Sequence, residues 1–134
     1  HFGVREFAWM AGRDAVGASP DEALALLLPW ALDADPNIRR FASELTRPRG
    51  VWCAQIEVLK AEPWRAQPLL ESLRADPSRY VQNSVANWLN DASKSQGPWV
   101  DEVCRRWLRE SDVPSTRYIV QRAQRTLRKK AADS

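Results

Sequence analysis

Any chemistry in this chain has to run on carboxylates. Its one histidine, His1, stands at the very start, and a lone terminal imidazole makes a poor general base for a serine or cysteine nucleophile. The two cysteines, Cys53 and Cys104, lie far apart in helix-like patterns. They form no zinc-type ligand set and read as buried thiols of a reducing, cytoplasmic protein. No metal and no cofactor is expected. Three acids, Glu6, Glu44 and Asp91, sit on segments whose apolar residues recur with helical period. Steps of about four residues place them on one face at rising depth, so neighbouring helices would bring three carboxylates to one strip. Such a strip can oppose a developing positive charge and hold a water. The competing reading is ordinary surface pairing with Arg5, Arg40 and Lys94.

The net charge is only +3 over 134 residues, yet the charges are segregated. From Arg117 to Lys130 the chain carries Arg117, Arg122, Arg125, Arg128, Lys129 and Lys130 without an acid, and Arg39, Arg40, Arg47 and Arg49 are interrupted only by Glu44. Stripes of this kind are either solvated helix faces or phosphate-binding surfaces. Of the seven tryptophans, Trp30, Trp99 and Trp107 fall on apolar faces and read as core. Trp9, Trp52 and Trp88 are open to two roles, packing in the core or stacking on a ligand.

The elements that must carry these residues are helices. No segment alternates with period 2, and candidate helices fall near 3–14, 20–33, 36–46, 53–61, 65–75, 77–93, 98–110 and 114–131. Ser19-Pro20, Asp35-Pro36 and Asp76-Pro77 each set a capping residue before a proline at the first helical position, and Gly97-Pro98 opens the seventh helix. Val4, Ile38, Val81 and Ile119 are each followed four positions later by Ala8, Ala42, Val85 and Ala123. This signature recurs at intervals of 34, 43 and 38 residues, within the range of stacked helix pairs. A small residue at that place lets the next helix approach closely. The expected fold is all-α, with HEAT-like hairpins in a curved solenoid that presents a concave binding face. Residues 1–134 form a single such domain, a monomer, expected to be the C-terminal part of a longer chain whose first helices are missing. No apolar run reaches the ~20 residues of a membrane span; the longest, Ala23 to Leu28, stops at Pro29.

Two segments are distinctive: Arg39–Trp52, reading RRFASELTRPRGVW, and Tyr80–Lys94, reading YVQNSVANWLNDASK. Both resemble the AlkC branch of the AlkC/AlkD-type alkylpurine DNA glycosylases. Glu6-Phe7-Ala8 is a weaker match, and the tail Arg122–Lys129 is also similar. The resemblance spans most of residues 1–130 and departs from the family pattern at Trp9-Met10-Ala11 and at Leu45. It implies a HEAT-like protein that excises cationic N-alkylated purines, such as 3-methyladenine or 7-methylguanine, from double-stranded DNA without metal or cofactor. By the same resemblance Glu6, Glu44 and Asp91 match the acidic positions of the active site, and Arg47 and Arg49 the basic loop beside it. Arg39, Arg40, Lys94, Arg122, Arg125 and Lys129 complete the expected DNA-binding set. Trp9, Trp52 and Trp88 are the candidates for base stacking.

Alkylation at N3 or N7 makes the purine a cation, so its glycosidic bond needs little leaving-group protonation. The protein's task is then to stabilise an oxocarbenium-like sugar and place a water, which preorganised carboxylates do. Asp91 is the first choice for that role and Glu44 the second. Two other classes compete: a catalytically silent binder of damaged or branched DNA, and a protein–protein scaffold.

Overall fold

The structure, a computed structural model, describes the backbone of residues 2–49 and 55–133, with side chains from Trp9 onward. Every element among them is helical: α1 (Phe2–Ala18), α2 (Pro20–Ala31), α3 (Pro36–Leu45), α4 (Glu57–Ala61), a 3₁₀ turn (Pro63–Ala66), α5 (Gln67–Leu73), α6 (Arg79–Glu110), α7 (Pro114–Ala123) and α8 (Arg125–Ala132). The helices stack as hairpins in two rows. One row contains α2 and α5; the other contains α3, the N-terminal half of α6 and α7, each packed on the next. Ala42, Val85 and Ala123, the small residues of the repeat, are fully buried at these contacts. One turn earlier, Val81 and Ile119 are buried as well, whereas Ile38 is exposed. Side chains of Val4 and Ala8 lie outside the described residues. None of the described helices is long and apolar enough to cross a membrane.

Local chemistry places several helix starts. Asp35 caps α3, its carboxylate accepting from the Asn37 N–H at 2.8 Å. Pro20, Pro36 and Pro114 open their helices, where a missing N–H costs nothing. Asp76 behaves differently from Asp35. It accepts from the Ser78 N–H at 2.9 Å within the turn, and α6 begins only at Arg79.

The expected sixth and seventh helices are joined through a break at Gln96 (φ −134°, ψ 56°). The freed end is held by side chains: Ser95 donates to the Lys60 carbonyl at 2.6 Å and Gln96 to the Ala61 carbonyl at 2.9 Å. Gly97 follows because Leu127 of α8 comes within 3.0 Å of where a Cβ would stand. The expected last helix is in turn split at Gln124, which frees the Thr126 N–H to donate to Asn90 Oδ1 at 3.1 Å.

Two tryptophan assignments change. Trp88, a stacking candidate, is fully buried and donates from Nε1 to Thr46 Oγ1 at 2.9 Å, so it is a core residue and reaches no ligand. Trp30, expected in the core, is 43% exposed beside Phe41. Trp107 is buried as expected. Cys104 is buried too, and burial, with Asp101 nearby, pushes its thiol up to about 12; Cys53 lies outside the described residues.

Candidate active site

The site forms where the end of α3 meets the middle of α6. Several contacts hold that end of α3. Arg13 reaches across from α1 and donates to the Leu45 carbonyl at 3.2 Å and the Glu44 carbonyl at 3.5 Å, satisfying acceptors that a helix C-terminus leaves open. Thr46 turns its hydroxyl back to the Ala42 and Ser43 carbonyls (3.1 and 3.0 Å) while accepting from Trp88. The next residue is thereby aimed at α6. Arg47 donates from Nε to Asp91 Oδ2 at 2.8 Å and from Nη2 to Asp91 Oδ1 at 3.2 Å, a two-pronged fork. Its Nη1 donates to Glu44 Oε1 at 3.3 Å.

Both carboxylates are further held. Ser84, on α6, lies 2.6 Å from Glu44 Oε2 and 2.7 Å from the Ser43 hydroxyl, and Arg40 Nη2 is 3.7 Å from Glu44 Oε1. Asp91 is only 5% exposed. Burial pushes its carboxyl above the usual range; the Arg47 hydrogen bonds and charge, the Lys94 charge and a hydrogen bond from the Arg49 backbone oppose that. Burial by itself would lower the Arg47 guanidinium, but Asp91 and Glu44 outweigh it and hold Arg47 above its ordinary value. Two acids from adjacent helices therefore meet on Arg47, in a seam that is buried at Asp91 and half-buried at Glu44. Beside Glu44, Trp9, Asn37, Arg40, Phe41 and Tyr80 line an open cleft of about 310 Å³.

The chain that carries this site is similar to known proteins. No family model matches the chain. The uncharacterized protein YhaZ of Bacillus subtilis is 41% identical over 110 residues, 82% of this chain and 30% of that protein. A solved structure superposes with a TM-score of 0.82 at 36% identity, covering 90% of this chain and 33% of the other. It is the Pseudomonas fluorescens alkylpurine DNA glycosylase AlkC bound to DNA containing an abasic site analog. The chain belongs to the AlkC/AlkD-type family. It spans about a third of the length of these relatives.

Within that family fold the expected site residues separate into groups. Glu44 and Asp91 come together, whereas the side chain of Glu6 and the whole of Trp52 lie outside the described residues. Arg47, expected on phosphates, is instead locked on the two acids. Arg39 is also removed from the phosphate set. It forks onto Asp76 (Nε 2.7 Å, Nη2 3.1 Å), and its Nη1 donates to the Asp33 and Ala34 carbonyls at 2.9 Å each. Asp76, the largest influence, raises the Arg39 guanidinium above its ordinary value. Arg40 stacks 4.0 Å over Tyr80. Arg49 Nε is buried with no hydrogen-bond partner among the described residues, while Lys94 and Lys129 are exposed. Trp9 does face the cleft, packed edge-on against Phe41.

The structure adds residues that the charge pattern did not single out. Arg79, Asn83, Asn87 and Asp91 follow one another at steps of four along α6, one face over roughly 18 Å. Asn83 accepts from the Tyr118 hydroxyl at 2.6 Å and Asn87 from Arg125 at 2.8 Å. Tyr118 in turn carries Arg79 at 3.4 Å and Arg122 at 5.6 Å from its ring centre. Neither arginine pairs with an acid among the described residues. Partial desolvation, with Arg122 beside it, lowers the Arg125 guanidinium, and Asp91 opposes this. The four-residue spacing was the available signal; its meaning depends on α7 lying alongside.

Proposed function

We propose that this chain carries the catalytic seam of a DNA glycosylase that removes cationic N-alkylated purines, of the 3-methyladenine or 7-methylguanine type, by hydrolysis of the N-glycosidic bond. The observation that carries the reading is the meeting of Glu44 and Asp91 in a buried seam on family-like motifs. Preorganised carboxylates in a largely desolvated place oppose an oxocarbenium-like sugar more strongly than they would in water. A carboxylate has about four acceptor positions. Arg47 occupies two on Asp91 and the Arg49 N–H a third. The remaining one is suited to the attacking water.

No metal is needed in this scheme, and among the described residues no group of three His, Cys, Asp or Glu side chains could hold one. Double-stranded DNA is the partner in this reading. Its backbone runs along the α6–α8 side, where Arg79, Arg122, Arg125, Lys94 and Lys129 supply the phosphate contacts; Asn87 holds Arg125, and Asn83 holds Tyr118, over whose ring Arg79 lies. Trp9 and Tyr80 offer ring faces in the cleft beside Glu44. The protein acts as a cytoplasmic monomer.

One observation favours a second reading. Arg47 and Arg40 together neutralise both acids, as they would in a silent binder of damaged DNA. Incubating the full-length protein with methylated duplex and measuring released 3-methyladenine and 7-methylguanine separates the two. Release supports the glycosylase; tight salt-sensitive binding without release supports the silent binder.

A further inference from the structure

We infer that Arg47 is a positioning residue, holding Asp91 and Glu44 in their working orientation and Asp91 in its charged form, and that it makes no phosphate contact. The inference rests on the glycosylase reading. It reverses the role that the position of Arg47 in a basic cluster would suggest.

The geometry carries it. Nε, Nη1 and Nη2 each donate to a carboxylate oxygen, two to Asp91 and one to Glu44. The Arg47 side chain is 13% exposed and that of Asp91 6%, so an incoming phosphate would have to break a desolvated fork to reach the guanidinium. A planar guanidinium suits this task because its N–H groups sit in a fixed fork that matches a carboxylate edge. The backbone under Arg47 is itself held: Arg13 braces the end of α3, Thr46 is tied to Trp88, and the Pro48 carbonyl accepts from Ile56 at 2.9 Å. A residue free to follow DNA phosphates has no use for such bracing. By contrast Arg79 and Arg122 sit on the same side of the molecule with no acid partner among the described residues.

The charged groups around Asp91 leave Arg47 as its main support. Arg47 and Arg49 face it from the segment after α3, Lys94 from α6 itself and Arg125 from α8, while Glu44 of α3 meets it through Arg47 and carries Arg40 on its other side. Of these side chains only Arg47 makes a hydrogen bond to Asp91. Without it, burial acts on the carboxyl with little to oppose it, and Asp91 takes up a proton at higher pH. A protonated Asp91 no longer opposes a sugar cation.

The test uses the full-length protein with Arg47→Ala and Arg47→Lys. Three readings are taken: single-turnover excision from methylated duplex across pH, affinity for a duplex containing an abasic analogue across salt, and the Asp91 carboxyl titration by NMR without DNA. Arg47→Ala is expected to slow excision ~10²–10³-fold, to move the acid limb of the rate profile to higher pH, and to leave the salt slope of DNA binding unchanged. Arg47→Lys keeps a charge near Asp91 but loses the fork, so its acid limb stays near that of the unmodified protein while its maximal rate falls. It also serves where Arg47→Ala does not fold. A salt slope reduced by about one unit with an unmoved pH profile would make Arg47 a phosphate contact and overturn the inference. If the unmodified protein excises nothing, the glycosylase reading fails by itself. The NMR arm still decides Arg47, because an Asp91 titration that ignores its removal overturns the inference regardless of activity.

Discussion

The two ends of α3 carry nearly the same device and put it to different uses. At the start, Arg39 forks onto Asp76; at the end, Arg47 forks onto Asp91, with matching atoms and distances within about 0.1 Å of each other. What differs is where the remaining groups go. Arg39 gives its other contacts to backbone carbonyls, and Asp76 accepts from the Ser78 N–H, so that fork ties two interhelical turns together. Arg47 turns instead to a second carboxylate, that of Glu44. An arginine–aspartate fork is thus no functional sign in itself. A second acid on the same guanidinium is what distinguishes one fork from the other.

The strongest way to break this comparison is to neutralise each aspartate in turn. Asp91→Asn should cut single-turnover excision by ~10²–10³-fold, while Asp76→Asn should leave the rate of the folded protein unchanged and lower its melting temperature. Equal rate losses in the two variants would erase the distinction. Asp91→Asn also costs some stability, because the amide N–H₂ faces a guanidinium N–H where an oxygen had accepted. Glu44 still pairs Arg47, which limits the loss to about 2 kcal/mol.

Truncating the structural fork from its other side is the next effect in size. Arg39→Ala leaves Asp76 buried with only its turn contacts, and should cost about 3 kcal/mol by denaturant unfolding. A loss below about 1 kcal/mol would mean the fork is no tie. DNA affinity extrapolated to a common folded fraction should not change, and a flattened salt slope would return Arg39 to the phosphate set.

The exposed strip sharpens the contrast between buried and free arginines. Replacing Arg79 and Arg122 together by Ala should reduce the salt slope of DNA binding by about two units. The effect should be similar for all sequences, with maximal excision rate kept at saturating protein. A slope that does not move would make the Arg79–Tyr118–Arg122 stack a local packing feature.

Proton linkage gives a subtler test. Burial, the largest influence, raises the Asp91 carboxyl in the folded state, so the folded protein binds that proton more tightly than the unfolded chain does. Its contribution to stability therefore falls as pH rises from the ordinary carboxylate range to the raised value, and is level above it. Asp91→Asn should remove that slope from melting curves taken across the acid range, and an unchanged slope would place the titration elsewhere. The smallest effect expected is Trp88→Phe, which loses the bond to Thr46 for about 1 kcal/mol and leaves base preference as it was. A change in preference would bring Trp88 back as a stacking residue.

What the sequence by itself determined is local in origin. Helical period marked every described helix, Asp35-Pro36 placed the start of α3, and the small residues Ala42, Val85 and Ala123 marked where inner helices touch. The two acid-bearing motifs were legible as well, through family resemblance. Only the tertiary structure decided which arginine serves which acid, that Trp88 is buried while Trp30 is not, and that the last helix splits at Gln124. Periodicity and caps depend on neighbours within about one turn, which any stretch of chain displays on its own. The aspartate partners of Arg39 and Arg47 lie dozens of residues away. Which acid comes within 3 Å of which guanidinium is set by the rise and rotation of one hairpin on the next, a quantity that no local pattern encodes.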